Sequence, residues 1–131
     1  MITEVKYYRD ERGNFPAREF INHPHNGRIK GSMNAAIAAL KINGLDLMRT
    51  EKMSFIGERD DDGPRIQGLY ELRNERKKWR IAVYHDKPVS KFILLCGWPK
   101  NQQRQPADIL RAQNMQKEYV IRKERGDVVT D

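Results

Sequence analysis

Gly68-Leu69-Tyr70-Glu71-Leu72-Arg73, Trp79-Arg80-Ile81-Ala82-Val83-Tyr84 and Lys91-Phe92-Ile93-Leu94-Leu95-Cys96-Gly97-Trp98 are three short runs rich in aromatic, β-branched and other apolar residues. A basic link from Asn74 to Lys78 and a turn from His85 to Pro88 separate them. Such runs between polar, turn-forming segments predict an antiparallel meander. Successive strand residues point to opposite faces, so Tyr70 and Leu72 share one face while Glu71 and Arg73 share the other. Likewise Trp79, Ile81 and Val83 oppose Arg80, Ala82 and Tyr84. The expectation is one apolar face and one charged face. Strands paired in register would set Arg73 and Arg80 together on the exposed face, flanked by Glu71 and Tyr84. Two arginines on a rigid sheet suit a phosphate, because each planar guanidinium offers a fork of donors matched to its oxygens. The competing reading is ordinary solvated surface.

Outward from the meander, Ile2 to Tyr8 alternates as a short first strand, and Asp10 to Asn14 reads as a polar turn. Phe15 to Ile21 predicts a helix, with Pro16 suited to its first position and Pro24 ending it. His23 and His25 flank that proline, but no Cys, Asp or Glu stands at ligand spacing beside them, so no metal is assigned. Asn26 to Asn43 predicts a second helix whose stripe of Ile29, Met33, Ala36, Ile37 and Leu40 packs on the sheet, with Gly44 just past its end. Between Leu45 and Gln67 the pattern weakens to scattered apolar anchors and the acidic run Asp60-Asp61-Asp62. That run reads as a solvated turn, because a hard cation needs about six or more oxygen ligands. After the polar connection from Pro99 to Pro106, a third helix is expected to about Arg122, with Ile109, Ala112, Met115 and Tyr119 as its apolar stripe. The tail from Asp127 is expected to fray.

With 131 residues, the chain is expected to form one domain over residues 1–131, flexible from about residue 126. A formal net charge of +7 favours an acidic partner such as nucleic acid. The single cysteine, Cys96, allows no internal disulfide, fits a reducing compartment, and reads as a small buried side chain. No apolar stretch approaches the roughly 20 residues that span a bilayer, and the N-terminus lacks the pattern of a signal peptide. A cytoplasmic location without a membrane partner is expected.

The runs Gly68 to Arg73, Trp79-Arg80-Ile81 and Phe92 to Lys100 resemble the HigB-like branch of the RelE/ParE toxin superfamily, which includes phage-derived members. The opening Tyr8-Arg9-Asp10, Gly13 and Phe15-Pro16-Ala17-Arg18-Glu19-Phe20 is similar to the start of that branch, so the likeness covers residues 4 to about 122. It implies an α+β fold: a small antiparallel sheet of the N-terminal strand and the three-strand meander, packed on two N-terminal helices and a C-terminal helix. It further implies the toxin of a type II toxin-antitoxin system. Such a toxin cuts mRNA on the ribosome without a cofactor and is silenced by a cognate antitoxin protein. The family's strand arginines fall on Arg73 and Arg80, its lysine on Lys100, and a further basic residue on Arg65 or Lys52. Cys96, Trp98 and Asn101-Gln102 replace the family's usual histidine, phenylalanine and Lys-Thr.

Metal-independent RNA cleavage uses the ribose 2′-hydroxyl as nucleophile, so the protein has to move two protons and stabilise a charged phosphorane. Arg73 and Arg80 suit the stabilising task; Tyr84, His85 and Lys100 are the acid and base candidates. Arg65, Arg76, Lys77, Lys78 and Arg104 would extend a basic surface to the RNA backbone, and Trp98 would stack a base, unless it is core. Two other readings stay open: a ParE-like gyrase inhibitor with no nuclease chemistry, and an inactive phage-derived relative that kept a binding face.

Overall fold

A computed structural model describes residues 3–56, 68–100 and 106–131. The strands are β1 (Glu4–Tyr7), β2 (Met53–Phe55), β3 (Leu69–Asn74), β4 (Trp79–Asp86) and β5 (Lys91–Pro99), and the helices are α1 (Pro16–Asn22), α2 (Lys30–Asn43) and α3 (Pro106–Glu124). The class is α+β, and the predicted meander is present as β3, β4 and β5 in antiparallel register. The sheet itself has five strands in the order β1-β5-β4-β3-β2. It is mixed rather than wholly antiparallel, because β1 lies parallel to β5, with Glu4 beside Lys91 and Tyr7 beside Leu94. A parallel neighbour needs a long crossover, which α1 and α2 supply across one face. On the far edge, β2 pairs antiparallel with β3, setting Ser54 against Glu71.

Helices cover both faces. Under α1 and α2 lie Leu72, Trp79, Ile81, Val83, Phe92 and Leu94, packed with Ile21, Met33, Ile37 and Leu40. This is the apolar face that alternation predicted, and the α2 stripe is its lid. Helix α2 starts at Lys30 rather than Asn26, because Asn26 closes a separate 3-10 turn over Pro24–Asn26. The Asn26 amide donates to the Phe20 carbonyl at 2.7 Å, tying that turn to the end of α1. The opposite face differs more from expectation. Leu69, Ala82, Ile93, Leu95, Cys96 and Trp98 form a second apolar cluster with Ala112 and Tyr119 of α3 and with Tyr8. A bulge between Ala82 and Val83 lets both Leu95 and Cys96 face this cluster, two residues of β5 against one of β4.

Two local features tighten the assembly. Gly97 points toward α1 where the Phe20 ring lies so close that a Cβ would overlap it. The tail, expected to fray, instead joins the β1 edge: Tyr8 bridges Thr130, and the Tyr7 amide donates to Asp131 Oδ1 at 2.9 Å. Val129 is buried and Asp131 pairs with Arg18 at 2.6 Å, so apolar burial and an ion pair hold the segment that composition alone marked as loose.

Candidate functional site

The charged end of the sheet is built on the β3–β4 turn. Asn74 shapes it, its Oδ1 accepting from the amides of Arg76 at 3.0 Å and Lys77 at 2.9 Å while its carbonyl accepts from Lys78 at 2.8 Å. A side chain that bonds its own backbone two residues on favours such a turn, and Lys78 closes it with a φ of 55°. The result exposes Glu75, Arg76, Lys77 and Lys78 together. On the strands behind them, Arg73 stands directly opposite Arg80. Lys100 enters from β5, its amide donating to the Lys78 carbonyl at 2.8 Å. Lys52, the alternative to Arg65, lies alongside, its carbonyl accepting from the Arg73 amide at 2.9 Å. The expected juxtaposition of Arg73, Arg80 and Lys100 is therefore present, with Arg76, Lys77 and Lys78 at its rim.

The expected exposure of Arg80 is corrected. Its side chain is only 5% exposed, with Nε 3.5 Å from Glu71 Oε1, Nη2 2.9 Å from Glu75 Oε1, and Nη1 donating to the Trp79 carbonyl at 3.1 Å. Burying a guanidinium is costly unless carboxylates and carbonyls receive its donors, and those partners provide that compensation. Arg73 is half-buried and donates from Nε to the Glu51 carbonyl at 2.8 Å. Lys100 Nζ lies 3.4 Å from Glu75 Oε2. Burial alone would raise the Glu75 pKa, but Arg80, Lys100 and Arg73 outweigh it and hold the carboxyl below its ordinary value.

Three assignments leave this cluster. Tyr84 shares the face of Arg80 but stands four residues along β4, about 13 Å at strand spacing. There it packs edge-on against Tyr119 at 5.5 Å beneath α3, and burial followed by the charge of Asp86 raises its pKa. His85, one residue on, takes the opposite face and stacks on Phe92 at 4.5 Å. Its Nδ1 is buried with no hydrogen-bond partner among the described residues, and burial lowers its pKa. The alternation that gathers Arg73 and Arg80 thus excludes His85 from their company. Trp98 sits beside Arg80 in register but belongs to the apolar cluster under α3 and is 3% exposed, which closes its ring to base stacking. Arg65, Arg104 and the run Asp60-Asp61-Asp62 lie outside the described residues.

No known protein family, curated protein or solved structure matches this chain.

The site's own residues therefore carry the functional argument. Sequence reading missed Glu75 and Glu51 as partners of the arginines, although Glu75 is the one acid in the basic run Asn74 to Lys78. It also missed a second polar cluster at the other end of β4. Buried Asp86 receives the Tyr119 hydroxyl at 2.7 Å and Lys123 Nζ at 2.7 Å, and a cleft of about 220 Å³ opens beside it between Tyr84, Pro88, Val120 and Glu124. No grouping of His, Cys, Asp and Glu suited to a metal occurs among the described residues. The β3–β4 end therefore concentrates cations, a chemistry suited to an oxyanion, around Glu71 and Glu75, which already pair with them.

Proposed function

We propose that the protein is a HigB-like toxin of the RelE/ParE type, an endoribonuclease that cuts mRNA on the ribosome in the cytoplasm and is silenced by a cognate antitoxin. The order of motifs from Tyr8 to Lys100 supports this reading, and so does the α+β architecture. The observation that carries it is the pairing of Arg73 with Arg80, with Lys100 joined through the Lys78 carbonyl. In the proposed reaction the 2′-oxygen attacks phosphorus and loses its proton, the bond from phosphorus to the 5′-oxygen breaks, and that oxygen gains a proton. A cyclic phosphate remains. Arg73, Arg80 and Lys100 stabilise the charge that accumulates on the phosphoryl oxygens, where preorganised cations lower a barrier most. Of the acid and base candidates only Lys100 stands at this end, so it is assigned the proton to the leaving oxygen, and a group on the ribosome or RNA takes the other.

The decisive experiment maps RNA 5′ ends after the purified protein meets ribosomes carrying a defined mRNA, with Arg73→Ala and free RNA as controls. Cuts confined to ribosome-bound codons and lost in the variant are expected. Intact mRNA with both proteins folded overturns the reading. The neutralisation of Arg80 by Glu71 and Glu75 favours a second reading, a non-nuclease relative that binds through the same face. That relative leaves mRNA intact yet still binds RNA or, in the ParE-like case, raises gyrase-dependent DNA breaks.

A further inference from the structure

One carboxylate of the chain already sits where an anion would. Glu75 spans two cations, Oε1 at 2.9 Å from Arg80 Nη2 and Oε2 at 3.4 Å from Lys100 Nζ. A phosphate lodged there would offer two oxygens to the same two donors. The partners differ in how firmly they are held. The Arg80 side chain is buried and fixed from behind by Glu71 and the Trp79 carbonyl. Glu75 projects from a turn with 56% of its side chain exposed, and ion pairs of such exposed groups are weak.

We propose that Glu75 is an internal stopper, occupying the phosphate seat between Arg80 and Lys100, and that an incoming phosphate group enters by displacing it. The inference rests on reading this end of the sheet as phosphate-binding. A phosphodiester brings one negative charge for the one that leaves, so the seat keeps its charge balance while Glu71 stays behind Arg80. The depressed pKa of Glu75 is consistent with its carboxylate sensing both cations. Because the stopper lies in the chain, the seat is attenuated without any partner, and the substrate has to compete for it.

The test titrates inorganic phosphate into the isotopically labelled full chain and follows the Nε–H resonance of Arg80. In Glu75→Gln the half-saturating concentration is expected to fall roughly two- to fivefold relative to wild type, the scale of an exposed ion pair. Glu19→Gln makes the same change in net charge on exposed α1 surface across the sheet and should match wild type. Coincident midpoints for Glu75→Gln and wild type, or an Arg80 resonance unmoved by phosphate in Glu75→Gln, overturn the stopper. A lowered midpoint with uncut ribosomal mRNA keeps the stopper and removes the nuclease reading, whereas cut mRNA with coincident midpoints does the reverse.

Discussion

Arg73 and Arg80 face each other across the β3–β4 pair, yet their donors go to different partners, the Glu51 carbonyl for Arg73 and two carboxylates with the Trp79 carbonyl for Arg80. The two arginines therefore differ in what their removal does. Arg80→Ala leaves Glu71 without its buried counter-charge and should cost about 3 kcal/mol of stability. Arg73→Ala loses one hydrogen bond at a half-buried position, less than about 1.5 kcal/mol. Urea unfolding of both variants checks this, and equal losses would contradict the assigned partners. Arg73→Ala is accordingly the cleaner functional probe.

His85 should make the fold acid-sensitive. Burial and then Lys87 push its pKa below the ordinary 6.5, against the opposing charge of Asp86. The native state thus takes up fewer protons than the unfolded chain just below that pH. The resulting stability is complete above pH 6.5 and is lost as pH falls, by at most about 1.4 kcal/mol per pH unit. His85→Phe keeps a ring against Phe92 and should flatten this dependence in unfolding titrations at pH 7 and pH 5.5. Identical slopes would show that some other group is responsible.

Gly97→Ala should be destabilising despite the small change. Its new methyl overlaps the Phe20 ring of α1, and overpacking typically costs about 1–3 kcal/mol. Phe20→Leu in the same chain should restore part of the loss. Strictly additive effects in thermal unfolding would mean that the two positions do not collide.

Truncation after Gly126 should uncover the β1 edge. It removes the bridge from Thr130 to Tyr8, the burial of Val129, the ion pair from Asp131 to Arg18 and the contacts of Asp127 and Val128 with buried Arg122, for a loss of at least about 2 kcal/mol. The amides of Tyr7 and Arg9, which donate to Asp131 and Val129, should then exchange faster in deuterium. Unchanged exchange at both would refute the docking of the tail on β1.

Much of the fold is legible in the sequence because its signals are local. Alternation through Tyr70, Leu72, Trp79, Ile81 and Val83 identified the strands and their α2-facing side, and the stripe from Ile29 to Leu40 identified the helix that covers it. The parallel placement of β1 was hidden because it depends on a partner distant in sequence, Glu4 meeting Lys91. Short β2 offered only Met53-Ser54-Phe55, too little pattern to separate from a loop. At the site, strand alternation correctly joined Arg73 with Arg80. It could not reveal that Glu75 folds back from the turn, or that α3 covers the sheet far enough to engage Trp98 and Tyr84. Those facts belong to side-chain packing, which periodicity does not encode.

The parallel pairing of β1 with β5 also orders events in time. The meander needs only short loops to close, whereas Glu4 meets Lys91 only after the whole stretch between them has been made, a contact that is slow to form. During synthesis the first strand waits on the order of ten seconds for its partner to be made. The tail, which seals the other side of β1, arrives later still. Nascent chains therefore pass through a period in which the β3–β4 hairpin is assembled while the N-terminal strand is undocked, and that period is when misassembly is most to be expected.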